Sequence, residues 1–549
     1  VASGGASGSN LSSGSITLAG GTLLNTATST ISNAITLTTG ANKLAAATTK
    51  TATFSGIISG AGTGALSLGD ATNNGGIVLS AANTFTGGVT ATGITLSVAS
   101  GGASGSNLSS GSITLAGGTL LNTASSTISN TIVLTTGTNK LAAATTKTAT
   151  FSGGISGAGT GALVAGDSTS DGVVVFSAAN TYTLGTSVSG GTLKLGISST
   201  GTTASITNGA VGTGALTVLS GAALVLNGKT ILNALTISGT GLSLGGALIN
   251  SDATNAGTVS NTVAMAASSS LGGAGSFTLS SIVSGSTFTL TKVGAGTVTL
   301  SGINTYSGGT SISGGILSIG ADNNLGAAPG SASASSITLS GGALQTTASM
   351  TLNANRGITL TDSSGLAATT GTLVYGGIIT GGSALTINGA SQTGTVSLAV
   401  ANDYTGGTTV TAGSLGVYHN GSIGSGALTL AGSTTLLLGR AVTEIANAIS
   451  LTGDATVDFD TTVDYLFVAG GGGGANLNDG GGGGAGCVVY KARADLTGVD
   501  YAVVVGAGGA LGFNGSNSTF NGDLAGGGKL GSASTYGGGA SGTNAVVSG

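Results

Sequence analysis

Apolar and small polar residues alternate along most of this chain with a period of two. Segments such as "GSITLAGGTLL", "GTVTLSG", "GGILSIG" and "GALTLAG" place Leu, Ile or Val at every second position and Thr, Ser or Ala between them. That period is the signature of strands with one buried face, and the strands are short. Glycine pairs, Asn and Ser interrupt them every 8–12 residues, where turns need positive φ or a side chain that bonds its own backbone. No apolar stripe with helical spacing is sustained, and Glu444 is the only glutamate. The pattern therefore predicts an all-β chain of many short strands.

The pattern also repeats. Residues 1–97 recur as residues 98–194, and only five of the first 66 positions differ, among them Ala34 against Thr131 and Ile57 against Gly154. A shorter segment recurs at longer range: "SAANTFTGG" around Asn83, "SAANTYTLG" around Asn180, "SGINTYSGG" around Asn304 and "AVANDYTGG" around Asn402. The asparagines are 97, 124 and 98 residues apart, and the larger interval fits one inserted coil. A closed barrel cannot absorb such insertions, whereas a solenoid lengthens by stacking. Aromatics at 3% are too few for the core of a large sandwich. These observations predict a parallel β-solenoid over residues 1–460, filled by ladders of Leu, Ile and Val. At roughly 20–25 residues per coil and about 4.8 Å per stacked strand, its length is on the order of 100 Å.

Each anchor asparagine lies at a turn between an apolar strand and an aromatic residue. Asn83, Asn180, Asn304 and Asn402 are expected to hydrogen-bond backbone groups of neighbouring coils. Loss of one such partner would cost about 1–2 kcal/mol. The aromatics that follow, Phe85, Tyr182, Tyr306 and Tyr404, are expected to cover the edge of the core. A platform of rings for carbohydrate is the functional alternative.

Residues 290–320, "LTKVGAGTVTLSGINTYSGGTSISGGILSIG", closely resemble the passenger-associated repeat of bacterial autotransporters and related β-helical surface proteins. Residues 397–417, "SLAVANDYTGGTTVTAGSLGV", fit the same pattern with Asp403 replacing Thr; the copies at 80–97 and 177–196 are looser. The resemblance implies a right-handed parallel β-solenoid passenger that is secreted or held at the cell surface, with a structural or adhesive role. Autotransporters end in a membrane barrel, and no such segment is present in these residues.

Composition changes near Asp458. From about Asp464 the chain reads "VDYLFVAGGGGGANLNDGGGGGAGCVVYKARADLTGVDYAVVVGAGG", so residues 461–549 form a separate glycine-rich β domain in this reading. The segment resembles the glycine-rich domains of phage tail fibres and large bacterial surface proteins. In those, a strand like "YLFVAGGGGG" pairs with one like "YAVVVGAGG". A virion fibre or spike is the alternative function that this resemblance implies.

Composition then removes several function classes. Charged residues make up 5% of the 549, glycine occupies 108 positions, and Pro329 is the only proline. Collagen lacks support, and 40% apolar residues argue against disorder. Apolar runs are too short for a membrane helix. A net charge of −4 with scattered Lys and Arg gives no stripe for nucleic acid.

Chemistry has few residues to work with. His419 is the only histidine and lies in the turn "GVYHNGS"; Cys487 is the only cysteine and reads as a small apolar residue. Catalytic residues and cofactors are not expected, and a polysaccharide-acting β-helical enzyme would need clustered carboxylates. Asp454, Asp458, Asp460 and Asp464 are the one acidic cluster, a weak calcium candidate without EF-hand spacing. The chain opens in mid-pattern with an uncharged strand-forming end. Unpaired sheet edges invite pairing with other copies. Self-association, or membership of a longer fibre, is therefore the expected partner relation, with a host-surface or glycan receptor as the possible target.

Overall fold

The computed structural model describes residues 1–2, 10–60, 65–158, 161–459, 462–474, 484–486, 488–495, 506–520, 523–529 and 544–545. The expected solenoid is present: the chain is all-β, with a parallel β-solenoid of about 19 turns. Helix is confined to two short 3₁₀ segments, Leu242–Leu244 and Asp322–Leu325, among the described residues.

Two compact units are formed. The first contains Val1–Ser414, Gly421–Gly432 and Asn447–Gly453; the second contains Leu415–Asn420, Ser433–Ala446 and Asp454–Gly549. In the first unit a turn carries up to three strands, as in Ile16–Leu18, Thr22–Asn25 and Ser29–Ile31. Each strand pairs in parallel with its counterpart one turn on.

Strict register converts the period-two pattern into continuous apolar ladders. Leu120 faces Leu141, which faces Ala165, then Val188, Val218 and Ile237, and none of the six is more than 1% exposed. A buried aliphatic side chain of this size contributes about 1.5–3 kcal/mol. The ladder rather than any single bulky residue therefore holds the coils together. Strand-exit hydroxyls add lateral bonds: Thr38 Oγ1 donates to the Leu18 carbonyl at 3.0 Å and Thr135 Oγ1 to Leu115 at 2.9 Å, one coil back.

The duplicated copies do not stack face on face. Strand Ile113–Ala116 copies Ile16–Leu18, yet it sits on the column begun by Thr22–Asn25. Thr119–Asn122, the copy of Thr22–Asn25, likewise continues the column begun by Ser29–Ile31. Ninety-seven residues make four turns and one further face, so each copy is rotated by one face against the other.

In the second unit, Thr462–Val468 pairs antiparallel with Val488–Asp495. The partner drawn from the resemblance, the "YAVVV" stretch at residues 501–505, lies outside the described residues. Ser518–Phe520, Asp523–Ala525 and Asn544–Ala545 form a further antiparallel sheet. Polyglycine backbones lie against one another here: Gly472 N–H donates to Gly484 O at 2.8 Å and Gly528 N–H to Gly470 O at 2.8 Å. A Cβ on Gly472 would fall 2.0 Å from the Lys529 carbonyl oxygen, so only glycine permits this approach.

Candidate functional site

A parallel strand entering each face offers its first N–H to the next coil. In ordinary coils a backbone carbonyl accepts it: Ile16 N–H bonds Ala34 O at 2.8 Å, and Ile35 N–H bonds Ile57 O at 2.9 Å. At the anchors the asparagine side chain substitutes for that carbonyl. Ile58 N–H donates to Asn83 Oδ1 at 2.8 Å, Ile155 to Asn180 at 2.8 Å, Val283 to Asn304 at 2.7 Å and Ile379 to Asn402 at 2.7 Å. The other end of each amide reaches forward one coil. Asn83 Nδ2 donates to Asn107 O at 2.7 Å, Asn180 to Ala210 O at 2.6 Å, Asn304 to Asn324 O and Asn402 to Ser422 O. One side chain thus ties three successive coils. Asn83, Asn180 and Asn304 are buried, and Asn402 is half-buried.

The aromatic two residues on completes the clip from inside. Phe85, Tyr182, Tyr306 and Tyr404 are at most 1% exposed, so no ring face is open for a sugar to stack on. Each tyrosine hydroxyl meets a threonine four residues later: Tyr182 with Thr186 at 2.7 Å, Tyr306 with Thr310 at 2.8 Å, Tyr404 with Thr408 at 2.5 Å. Where the ring is Phe85, the position four residues on is Val89, also buried. The chain thus keeps or drops both hydroxyls together, as a buried polar pair requires. Tyr306→Phe should cost about 1 kcal/mol by stranding the Thr310 hydroxyl. The double change Tyr306→Phe/Thr310→Val should restore most of that loss. Urea titration of the single and double variants measures the coupling, and additive losses would contradict the pairing.

Sequence reasoning missed the rest of the clip. The coil after each anchor turns through a residue with positive φ: Ser109 (54°), Gly212 (65°), Gly326 (77°) or Gly424 (59°). At Gly326 a Cβ would lie 2.3 Å from the Tyr306 carbonyl oxygen, which accepts the Ala327 N–H at 2.9 Å. A second asparagine, one coil further, binds the carbonyls of the same turn. Asn130 Nδ2 donates to Ser109 and Gly111, Asn233 to Gly212 and Gly214, and Asn447 to Gly424 and Gly426. The recurring strings "SNTI", "LNAL" and "ANAI" were the available signal.

At the third clip Arg356 performs this task. It is 2% exposed, donates to Leu325 O at 3.1 Å and Gly326 O at 2.7 Å, and pairs with Asp322 at 2.9 Å. Nothing in its sequence context distinguishes it from a surface arginine. Lys292 is also buried, with Nζ on the carbonyls of Val293, Gly294 and Gly314, and burial pushes its pKa down to about 8.

Asn304→Ala would leave two buried backbone groups without partners, Val283 N–H and Asn324 C=O. The expected loss is therefore about 2–4 kcal/mol, above the sequence-based figure for one partner. Thermal unfolding of the variant checks it; a change under about 0.5 kcal/mol would contradict the clip.

The remaining candidates are dispersed. Asp454 and Asp458 are exposed, Asp460 and Cys487 lie outside the described residues, and so does the side chain of Asp464. Among the described residues, no group of three or more His, Cys, Asp or Glu could hold a metal ion. His419 is exposed at its turn. No helix among the described residues is long and apolar enough to cross a membrane.

Comparison with known proteins places these features. The passenger-associated-transport-repeat model matches residues 156–195, 290–319 and 380–417, which hold the clips of Asn180, Asn304 and Asn402. A glycine-rich domain model matches residues 449–549. The adhesin BmaC autotransporter of Brucella suis biovar 1 (strain 1330) is 30% identical over 251 residues, 46% of this chain. That match spans 7% of the relative's length. No solved structure matches. The chain carries passenger-associated-transport repeats on a β-solenoid, followed by a glycine-rich domain.

Proposed function

We propose that this chain is part of a non-catalytic adhesive passenger, exported and displayed at a cell surface, in which the solenoid holds binding surfaces away from the cell. The observation that carries the reading is the coincidence of the matched repeats with the inter-coil clips. The residues that define the repeat are spent on joining coils, and none presents a nucleophile or an acid–base pair. Similarity to an adhesin autotransporter supports the adhesive role. In this reading copies or neighbouring segments also pair through unpaired strand edges into a fibre or lattice. A net charge of −4 over 549 residues gives little repulsion between them.

Beads coated with the full 549-residue chain should adhere to cultured epithelial cells several-fold more than beads coated with albumin. Sedimentation of the same preparation should show mass rising with concentration. Beads that adhere no better than albumin would overturn the adhesive reading. A strictly monomeric chain at every concentration would overturn the fibre.

A further inference from the structure

On one face of the solenoid, two outward rows run across successive coils. The first contains Thr297, Ile316, Ala343, Gly365 and Thr386; the second contains Thr299, Ser318, Gln345 and Ala367. Their strand neighbours Val298, Leu317, Leu344 and Leu366 point inward and are buried. In the first row Ile316 and Thr386 flank the smaller Ala343 and Gly365, and in the second row the side chain shrinks from Gln345 to Ala367. The result is a groove of about 410 Å³. It spans four strands, about 14 Å at roughly 4.8 Å per strand.

The far wall is built rather than loose. Asn388, at φ 56°, accepts the Ala368 N–H at 2.8 Å and donates to Gly394 O at 2.8 Å and Ala412 O at 3.1 Å. That bonding fixes the bend from which Gly389 to Gln392 rise beside the groove, where Gln392 Oε1 accepts the Gly389 N–H. None of the lining residues is ionisable or aromatic. Among the described residues the Gln345 amide and the Ser363 and Thr386 hydroxyls make no hydrogen bond, and Gln392 keeps its amide N–H groups. The groove therefore offers a small-residue floor with uncommitted amides and hydroxyls around it and no cation; the Asp362 carboxylate stands at its rim, 3.8 Å from where a Cβ on Gly341 would lie.

We propose that this groove binds a neutral oligosaccharide chain, a ligand whose hydroxyls match amides and hydroxyls and whose ring faces match an Ala/Gly floor. Charge decides the class. An anionic glycan or a phosphate group would have no cation to meet, and an apolar peptide would leave the amides unpaired. Without an aromatic stack the single-site affinity is weak, with a dissociation constant on the order of 1 mM, and many displayed copies act together. This inference rests on the adhesive reading and names a ligand class for it.

Saturation-transfer NMR on the full chain tests it with cellohexaose, maltohexaose and chitohexaose as neutral probes and a heparin hexasaccharide as the anionic one. Transfer to at least one neutral probe is expected, and none to heparin. Ala343→Gln, which fills the floor from a half-buried outward position, should cut the signal about tenfold. Gln345→Ala should weaken it several-fold without changing the circular dichroism spectrum. Absence of transfer to all three neutral probes, preference for heparin, or full binding by a folded Ala343→Gln variant would overturn the proposal. So would loss of self-association in that variant, because a second copy would then be the occupant. The bead assay separates the two ideas: wild-type beads that fail to adhere sink the adhesive reading, whereas adherent beads with no neutral-glycan signal sink the groove alone.

Discussion

Raising the pH from 10 to 11 should remove roughly 4 kcal/mol of stability from the solenoid between residues 182 and 404. Four tyrosines there, Tyr182, Tyr306, Tyr375 and Tyr404, are fully buried. Burial pushes Tyr306 and Tyr404 up to about 12 and the other two higher still, against the smaller opposing effect of their hydrogen bonds. A phenol in the unfolded chain ionises near 10, so above that pH the unfolded state binds fewer protons than the folded state. Stability then falls by about 1 kcal/mol for each tyrosine between pH 10 and 11, and the slope approaches about 1.4 kcal/mol per pH unit as the unfolded phenol becomes fully ionised. Lys292 acts in the opposite sense at lower pH. Its folded value of about 8 lies below its ordinary value of 10.5, so between these its folded form has already released the proton and stability rises. Urea midpoints should therefore be level or slightly higher at pH 9.5 than at pH 8, and should collapse by pH 11. The tyrosinate absorbance near 295 nm should grow with the loss of strand signal. Ionisation of all nine tyrosines at the ordinary pH, with the strands intact, would refute the buried clip.

Arg356→Met should be the most damaging single substitution, at about 3–5 kcal/mol. The guanidinium joins three groups at once: the Asp322 carboxylate at 2.9 Å, the Leu325 carbonyl at 3.1 Å and the Gly326 carbonyl at 2.7 Å; the backbone carbonyl of Arg356, which accepts the Tyr375 hydroxyl at 2.8 Å, is unchanged by the substitution. Methionine has similar length but leaves those acceptors without donors, and removing one partner of a buried pair costs far more than the pair contributes. Arg356→Lys should rescue little, because an ammonium cannot reproduce the planar fork. Limited proteolysis checks the effect locally, since solenoid coils depend on their nearest neighbours. New cleavage within residues 320–360 is expected, and a variant as resistant as the wild type would refute the assignment.

The strands were legible because alternation at period two is local information, carried by residues such as Ile16, Leu18, Leu120 and Leu141. The anchors were legible too, since Asn followed by an aromatic recurs in a readable frame. Their partners were not. The groups that Asn304 joins lie 21 residues before it and 20 after it, and the carbonyls that Asn233 binds belong to the turn of the preceding clip, at Gly212 and Gly214. The groove at Ala343 and Gly365 was invisible for the same reason. A small residue in one strand means nothing until register sets it beside another small residue in the next coil.

Sequence alone determined the all-β character, the stacking of coils and the break in composition before the glycine-rich region, because each follows from short-range pattern and residue type. Tertiary structure decided the rotation of the second copy by one face. The 97-residue repeat is four turns and a third, and no inspection of identical strings reveals where a turn closes. It also decided which charged residues are internal. Arg356 and Lys292 are buried because the geometry of neighbouring turns aims several carbonyls at one point, and only a cation with several donors can meet them all.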